Sequence, residues 1–366
     1  MSDIVIVGGG LAGGAAAALL ARGGRRVLLL EREAAPAHKI CGEFLSGDAA
    51  AILGGLGIDP VALGAARIAT LRLAWRERVI ETPLPFPAYG LTRRRLDAAL
   101  LDRAARDGAQ VERGVAVRSM AVGQAETNRG TIAAAAMLLA SGKHDVRGAA
   151  RDVRRADTGY VGFKTYWQVP ARVRATLAGQ IEVVLFDGGY AGLQLVEDGI
   201  ANLCLLIRKD RLRALGGDWP AVLGMLGEVP HLARRLESAV PLLPRPIAIA
   251  GVPYGYLHRP AARAAGRTDA GLFRLGDQAA VIPSFCGDGM AIALRSGALA
   301  AATLLAGGGA GDYHARLSAG LTRQIGLAVL LQRIGQSDLA RPALWALLTV
   351  RPEIAARLAA ATRLRA

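Results

Sequence analysis

The sequence of 366 residues predicts an α/β fold, in which a parallel sheet with flanking helices carries an inserted β-sheet domain and a helical C-terminal segment. Three observations support this prediction. The chain opens with a short apolar run, a glycine cluster and an alanine-rich stretch; strand-like segments follow one another between residues 160 and 264; and the residues after Asp312 show helical periodicity with interleaved arginines. The composition, 52% hydrophobic and 20% charged, is that of a globular protein rather than a disordered one.

The N-terminal elements give the clearest pattern. Residues 3–7 predict a buried strand, an alanine-rich helix runs to about Ala21, and a second strand covers 26–30, so that the three form a βαβ unit. A proline cluster (Pro83, Pro85 and Pro87) predicts a crossing between layers. We further expect two short strands joined by a turn within 68–82, strands at 110–117, 134–139, 181–186, 192–196, 201–207 and 273–275, and helices at 91–106, 219–226 and 289–305.

These elements predict a discontinuous organisation of the chain. The domain built on the βαβ unit comprises 1–70, 89–155 and 265–310, and the inserted sheet domain, below called the substrate domain, comprises 71–88 and 156–264. Residues 311–366 form the C-terminal helical segment.

A glycine motif follows the first strand and opens the first helix: Gly8-x-Gly10-x-x-Gly13. The first glycine allows a tight turn, the second lets the backbone approach a pyrophosphate, and the third lets helix and strand pack closely. The diphosphate then meets the unpaired N–H groups and the positive dipole end of the helix. Glu31 ends the second strand, where a carboxylate accepts hydrogen bonds from ribose hydroxyls, and Arg32 after it is a further candidate contact. The motif alone does not separate FAD from NAD.

A second segment, far along the chain, points to a flavin. A strand ending in Gly276-Asp277 can present a carboxylate to a ribityl hydroxyl, although Asp277 alone would also suit a helix N-cap. Pro283 and Gly287 then carry the backbone past an isoalloxazine ring to a new helix. Backbone N–H groups at its start, Gly289 and Met290, would stabilise negative charge on a reduced flavin.

Together these segments resemble the flavoprotein superfamily that contains the p-hydroxybenzoate hydroxylase-type aromatic hydroxylases and the geranylgeranyl reductases. The resemblance covers roughly residues 3–310 and implies a Rossmann-like FAD-binding domain with FAD as cofactor. Ser141-Gly142 looks like the family's Asp-Gly segment and implies an FAD contact, with serine in place of the usual acid or threonine. Arg93 matches the family's arginine near the FAD diphosphate, and it is equally one of three adjacent arginines that a surface would carry.

The segment Lys39-Ile40-Cys41-Gly42-Glu43 resembles the Cys-Gly loop of the geranylgeranyl reductases more than the arginine-and-glycine loop of the hydroxylases. This implies that Lys39, Cys41 and Gly42 lie by the flavin. Cys41, beside cationic neighbours, is a candidate catalytic thiol, and the alternative is a packing residue.

Two reactions fit a flavoprotein whose sequence shows no paired carboxylates and no catalytic triad. The favoured one is a monooxygenase that hydroxylates a hydrophobic aromatic or polyketide-type molecule with NAD(P)H and O₂. The alternative is a geranylgeranyl reductase-like enzyme that reduces C=C bonds of an isoprenoid or lipid-like substrate. Flavin halogenases are not favoured because the sequence has no Trp-x-Trp-x-Ile-Pro segment, and an electron-carrying module is disfavoured by the size of the substrate domain. No second glycine motif follows the first, so we expect NAD(P)H to bind transiently.

Candidate substrate contacts come from residues that would line the open face of the flavin. Tyr254, which lies between Gly251 and Gly255, is the preferred catalytic candidate, and the substrate candidates are Lys164, Tyr166, Trp167 and Tyr256. Each is alternatively a structural sheet residue.

The bulk properties bound the setting. Three cysteines, no metal-ligand spacing and no signal peptide predict a cytoplasmic protein without disulfides or a metal. The net charge of +15 comes mostly from arginines spread along the chain, which disfavours nucleic acid as a partner and leaves contact with a membrane surface or an acidic carrier open. The sequence does not determine the oligomeric state.

Overall fold

The computed structural model describes residues 3–153, 159–259 and 271–364. The strands are β1 Ile4–Val7, β2 Val27–Glu31, β3 Phe44–Ser46, β4 Ala66–Trp75, β5 Arg78–Gly90, β6 Gln110–Arg113, β7 Val117–Ala121, β8 Gln124–Thr127, β9 Gly130–Ala133, β10 Ala136–Leu139, β11 Tyr160–Gln168, β12 Gly179–Phe186, β13 Gly189–Leu195, β14 Ala201–Arg208, β15 Val240–Pro241, β16 Ile247–Ala250, β17 Tyr256–Leu257, β18 Leu272–Arg274 and β19 Ala280–Val281. The helices are α1 Leu11–Arg22, α2 Gly47–Gly55, α3 Arg93–Arg106, α4 Ala171–Leu177, α5 Lys209–Ala214, α6 Trp219–Glu228, α7 Pro230–Leu236, α8 Gly289–Leu305, α9 Ala310–Gln336, α10 Ala340–Val350 and α11 Glu353–Ala361.

The first sheet is parallel, with the strand order β18-β10-β1-β2-β6 in the described residues. All four residues of β1 and all five of β2 are buried, because helices cover one face of the sheet and a small antiparallel sheet, β7-β8-β9, covers the other. The helices α1, α3 and α8 pack together at this sheet. Their close approach depends on small residues: a Cβ added at Gly297 of α8 would lie 2.3 Å from the carbonyl oxygen of Ala12 in α1.

The second sheet is mixed, with the order β15-β11-β14-β13-β12-β4-β5-β3, and β16 pairs with β11 as well. The alternation along β12 assigns its two faces. Val184 packs in the hydrophobic cluster that includes Val222 and Leu226 of α6, whereas Val183 and Leu185 line a cavity on the opposite face. The helices α10 and α11 belong to the cavity side, because Trp345 and Ala355 cluster with Trp75 and Ile80 of β4 and β5.

The sequence prediction agrees with the structure for the opening βαβ unit, for β12 to β14 and for α8, whose limits match those expected. The predicted layer crossing at the prolines was wrong. Pro83, Pro85 and Pro87 lie inside β5, and the last two fall in the bulged interval between the Thr70↔Pro83 and Ile68↔Ala88 pairs. A bulge accommodates residues that cannot donate to the ladder, so the strand continues through them.

The division into domains stays a prediction. The strands β3, β4 and β5 all belong to the second sheet. The expected boundaries after 155 and after 264 lie outside the described residues. Among the described helices, none has the length and apolar character needed to span a membrane.

Candidate active site

The glycine loop joins β1 to α1 with no room for side chains at two positions. Gly8 has a φ of +109°, and a Cβ added there would lie 2.3 Å from the carbonyl oxygen of Ala140. A Cβ added at Gly13 would lie 1.9 Å from the carbonyl oxygen of Gly8. Gly10 is the N-cap of α1 and offers no capping side chain, so the first N–H groups of the helix are left for a bound anion. The loop therefore fits a dinucleotide diphosphate.

Glu31 holds its carboxylate against this loop at the end of β2. One oxygen accepts a hydrogen bond from the N–H of Gly9 at 2.7 Å, and the other accepts one from the N–H of Glu33 at 2.9 Å. The ammonium of Lys39 lies 3.7 Å from the same carboxylate. The position is that of the ribose contact in this type of fold. Arg32 is exposed and pairs with Glu33 instead.

Arg93 begins α3 and lies beside the glycine loop. Its guanidinium forms two bonds to Asp97, of 2.7 and 2.9 Å, and a Cβ added at Gly10 would lie 3.2 Å from its Nη2. The side chain is 15% exposed and held in place, so it is a fixed cation at the loop rather than one of a run of surface arginines.

Asp277 lies just after β18, on the other side of β1 from Glu31. Its carboxylate is 3.1 Å from the Nζ of Lys143, and both residues line the same cavity. Burial acts to lower the pKa of Lys143, but the groups around it, with the Asp277 carboxylate first among them, together raise that pKa, so the ammonium persists at neutral pH. Gly276 has a φ of +56° and donates its N–H to Ser296 Oγ at 2.8 Å. The turn thereby aims Asp277 at the cavity.

The segment after β10 supports this turn. Ser141 Oγ donates to the carbonyl of His144 at 2.7 Å, and Gly142, with a φ of +66°, accepts a hydrogen bond from Gln278 Nε2 at 2.8 Å. Gly142 lines the cavity, whereas the Ser141 hydroxyl is used locally.

The loop that leads into α8 passes from Pro283 through a 3₁₀ turn at Ser284–Cys286 to Gly287. Gly287 has a φ of +69°, and a Cβ added there would lie 2.8 Å from the ring of Phe44. Gly289 and Met290 start α8 and line the cavity, and no side-chain hydrogen bond caps this helix. Its first N–H groups can therefore face a negatively charged ring.

Asp288, which sequence analysis did not single out, anchors this loop. It is fully buried and accepts hydrogen bonds from Ser46 Oγ at 3.2 Å and Arg363 Nη1 at 3.1 Å, as well as from Gln324. Burial raises its pKa. Arg363 thus ties the segment after α11 to the start of α8.

The Cys-Gly loop is fixed to the second sheet by its backbone. The carbonyl of Gly42 accepts from Asn202 Nδ2 at 2.7 Å, and the carbonyl of Glu43 accepts from Gln194 Nε2 at 2.8 Å. Cys41 lines the cavity, and its Sγ accepts a hydrogen bond from the N–H of Glu43 at 3.3 Å.

Two of the predicted substrate contacts, Lys164 and Tyr166, support this loop instead. Glu43 is fully buried with a φ of +60°; its Oε1 lies 2.5 Å from Lys164 Nζ and accepts the N–H of Arg93 at 2.7 Å. The Tyr166 hydroxyl donates to the same carboxylate at 2.9 Å, and His38 Nδ1 lies 3.0 Å from that hydroxyl. Burial raises the pKa of Glu43 despite the Lys164 ammonium.

The other two predicted substrate contacts also lie elsewhere. Trp167 packs in the core between the second sheet and its helices, with Val173 and Leu232. Tyr256 pairs in β17 with β19, and its hydroxyl lies 3.3 Å from His258 Nδ1. Within the described part of the chain, the cavity wall contains none of Lys164, Tyr166, Trp167 and Tyr256. β-strand alternation turns Trp167 to the opposite face.

The cavity, which we call the chamber, has a volume of about 400 Å³ and extends from the glycine loop to the C-terminal helices. Tyr254 does line it, and so do Tyr190 and Ser284, whose hydroxyl oxygens are 2.5 Å apart. The Ser284 hydroxyl also acts on Tyr254, whose pKa it lowers against the larger effect of burial. The far wall is apolar and includes Leu71, Leu73, Leu84, Phe86, Ile181, Val183, Leu185, Leu206, Ile249, Leu344, Leu348 and Leu358.

Burial keeps several phenols and thiols of the chamber in their neutral forms. It raises the pKa of Tyr254, Cys204 and Cys286 to about 12 each, and it raises that of Tyr190 well above its ordinary value. At neutral pH these groups donate hydrogen bonds but carry no charge. Sequence analysis missed Tyr190 and Ser284, since a lone tyrosine in a strand and a serine in a loop carry no distinguishing pattern.

Residues 1–143 match a family model described as an FAD binding domain. The match identifies the N-terminal part of the chain as an FAD-binding domain. Among solved structures, this flavoprotein is similar to the flavin-dependent brominase Bmp2, with a TM-score of 0.77 and 17% identity over 98% of this chain and 93% of that one. It is also similar to the myxobacterial chondrochloren halogenase CndH, with a TM-score of 0.73 and 20% identity over 89% and 82% of the two chains.

A third similar structure is a flavoprotein/dehydrogenase from Cytophaga hutchinsonii, with a TM-score of 0.70 and 19% identity over 88% of this chain and 84% of that one. Identities this low establish a shared fold and no more. None of the curated proteins matches the flavoprotein by sequence.

Proposed function

We propose that the flavoprotein is a monooxygenase that hydroxylates a hydrophobic aromatic or polyketide-type small molecule with NAD(P)H and O₂. The chamber supports this most directly, because it joins the glycine loop to a largely apolar wall whose tyrosine and thiol groups stay neutral. Hydroxylation needs a dry, shaped pocket more than an acid–base pair.

The residues present fit FAD. The glycine positions leave room for a diphosphate and for nothing larger than hydrogen at Gly8 and Gly13. Glu31 would hold the ribose, Arg93 the diphosphate and Asp277 the ribityl chain. Bound FAD supplies the two-electron redox chemistry and the activation of oxygen.

The protein's own side chains then orient the substrate and exclude water. Tyr254 and Tyr190, held as neutral phenols around Ser284, would donate hydrogen bonds to an oxygen of the substrate. The aliphatic wall would contact its apolar part. We extend the proposal to NAD(P)H as a transiently bound reductant, since the sequence carries one glycine fingerprint.

The balance of the reaction defines its test. One oxygen atom of O₂ enters a C–H bond of the substrate, the other leaves as water, and NAD(P)H supplies a hydride while solvent supplies a proton. We expect purified holoenzyme with NADPH, ¹⁸O₂ and alkyl-substituted phenols to give a product that carries one ¹⁸O atom. Products without label, or NADPH oxidation that never depends on substrate, would contradict the proposal.

A reductase of C=C bonds is the second candidate, and the position of Cys41 in the chamber wall favours it. In that case NAD(P)H supplies a hydride by way of the bound FAD, Cys41 would deliver the proton to the other carbon of the double bond, and solvent would reprotonate the thiol. The reaction would proceed without oxygen and add two hydrogen atoms to an isoprenoid alkene.

The Cys41→Ser variant separates the two candidates. For a monooxygenase we expect unchanged flavin content and turnover within about twofold, because the thiol only packs beside the flavin. A reductase that uses the thiol as its acid should lose most of its activity. Cys204→Ser, which alters another thiol in the same wall, is the matched control.

Halogenation is a third outcome of the same assay, since two of the similar structures are a brominase and a halogenase. Adding bromide to the aerobic reaction tests it. A brominated product would replace the monooxygenase proposal.

A further inference from the structure

A second cavity, of about 610 Å³, adjoins the outer end of the chamber. It is formed by the turn between β4 and β5, the turn between β12 and β13, the end of β14 with α5, and the junction of α9 with α10. We call it the arginine pocket, because Arg76, Arg78, Arg208, Arg211 and Arg341 line it.

The arginine pocket carries an excess of positive charge. Its two acidic residues are Asp187 and Asp338, and both pair with Arg341. Arg208 is paired with Asp210. Arg76, Arg78 and Arg211 have no ion-pair partner among the described residues. A ligand of opposite charge would therefore gain from entering.

The unpaired polar atoms at this end are hydrogen-bond donors. Arg341 is 6% exposed, and its Nε has no hydrogen-bond partner within the described structure. The same holds for Arg211 Nε, Gln336 Nε2 and the indole N–H of Trp345, which is 2% exposed. Buried donors normally have acceptors, and an anionic group would supply them.

Trp75 and Trp345 fix the shape of this end. The guanidinium of Arg341 lies 5.4 Å from the ring centroid of Trp75, that of Arg76 lies 5.1 Å from it, and the two indoles pack 5.6 Å apart. The donors are thus positioned before any ligand arrives.

The arginine pocket and the chamber share walls. Gly188, Arg208, Gln336 and Arg341 line both of them. Inward from these residues the wall is aliphatic, with Leu185, Leu344 and Leu348. Such a wall offers no partner for the ribose and phosphate groups of a nucleotide, but it suits an alkyl chain.

We propose that the arginine pocket binds the carboxylate or phosphate headgroup of an amphiphilic substrate whose apolar part occupies the chamber. The inference deepens the proposed function, since it assumes that the chamber holds the substrate. It adds that the molecule is anionic at the end remote from the flavin.

Measurements of ligand binding test this proposal without any need for turnover. Dodecanoate and methyl dodecanoate differ only in charge at the headgroup, and their affinity for the holoenzyme can be measured by calorimetry and by perturbation of the flavin spectrum. We expect dodecanoate to bind at least about tenfold more tightly, and the preference to weaken with added salt.

Arg341→Met should abolish that preference, because it removes the buried donors while keeping an apolar side chain on Trp75. The double variant Arg76→Gln/Arg78→Gln alters exposed residues at the rim of the pocket and should reduce the preference. It keeps the proposal testable even if Arg341→Met does not fold. Arg67→Gln, an exposed arginine at the opposite end of β4, should leave it unchanged.

Four results would overturn the inference: equal binding of the ester, an unchanged preference in folded Arg341→Met and in the rim variant, inorganic phosphate binding as tightly as dodecyl phosphate, or competition with NADPH that assigns the pocket to the coenzyme. Failure of the proposed function is a separate result. Dodecyl anions that bind through Arg341 in an enzyme that never oxygenates any amphiphile would uphold the pocket and reject the monooxygenase.

Discussion

The FAD-binding end of the chamber and its apolar end adjoin each other, but they are built in different ways. The FAD-binding end is made by backbone: glycines at Gly8, Gly13 and Gly276 and the open start of α1 set its shape. The apolar end is made by side chains that come from β4, β12, α10 and α11, far apart in the chain. A backbone site tolerates little change at a few positions, whereas a side-chain site can change its substrate without loss of the fold.

The largest effect we expect is at Gly13, where the difference between the two regions is sharpest. Gly13→Ala would place its Cβ 1.9 Å from the carbonyl oxygen of Gly8, so the loop must move and the purified protein should lack flavin. Absorbance near 450 nm per protein measures this. Gly326→Ala, in α9 with nothing within 4 Å of its added Cβ, should retain full flavin content.

Glu182 lies on the face of β12 opposite the chamber. A substitution there tests whether the stability of the second sheet can change without a change in FAD affinity. Burial acts to raise its pKa, but His231 and Arg235, joined by Arg72, hold the pKa of Glu182 at about 2. Glu182→Gln should lower the free energy of unfolding by about 3–5 kcal/mol, because it breaks a buried charge cluster, while the FAD affinity of the folded protein stays unchanged.

The same group sets a pH dependence. Because its folded pKa lies below the value of 4.5 for an ordinary Glu, its contribution to stability is complete above about pH 4.5 and is lost as the pH falls toward 2. Urea unfolding at pH 7 and pH 4 follows both effects. The exposed Glu228→Gln is the control, and an equal loss in that variant would contradict the assignment.

Asp277→Asn should act on the FAD site with a smaller effect. The carboxylate that would accept the ribityl hydroxyl becomes an amide, and Lys143 loses its partner. We expect the dissociation constant of FAD to rise by about 10–100-fold, measured by fluorescence titration of the apoprotein. Asp102→Asn, exposed on α3, should not change it. Full flavin affinity in Asp277→Asn would remove the ribityl assignment.

The smallest effect that we expect concerns the part of the chamber beyond the FAD site. Tyr254→Phe removes one neutral donor beside Ser284, so kcat/KM should fall by about three- to tenfold while the flavin content is kept. Tyr89→Phe, which alters a half-buried tyrosine outside the chamber wall, should leave both unchanged. A loss of FAD in the Tyr254 variant would show that the two regions are not separable.

The same difference explains how much the sequence could predict. The glycine loop, Glu31 and the Gly-Asp turn were predictable because each needs particular residue types at short, fixed spacings. The chamber was not, since Val183 and Leu185 alternate along β12 as they would toward any core, and only three-dimensional packing separates a cavity wall from an interior.

The roles of polar side chains were predicted wrongly for a related reason. Lys164 and Tyr166 have polar ends, which suggested substrate contacts, but both side chains bind the carboxylate of Glu43. The sequence placed Glu43 only at the end of the Cys-Gly segment. No neighbouring residue indicates that the backbone there adopts a φ of +60° and buries the carboxylate. Arg341 is the single charged residue of α10, and no pattern in that helix indicates that its side chain is buried against Trp75.

The order of strands in the first sheet also sets when, during synthesis of the chain, the FAD site can be completed. β1 ends at Val7, but β18 starts at Leu272 and completes the same sheet beside β10, with Asp277 only after it. At roughly 5–20 residues per second, a ribosome takes from about a quarter of a minute to almost a minute to synthesise the intervening chain. The glycine loop therefore leaves the ribosome long before β18 exists. A site that needs both the glycine loop and Asp277 is complete only when the chain returns to the sheet, late in biosynthesis.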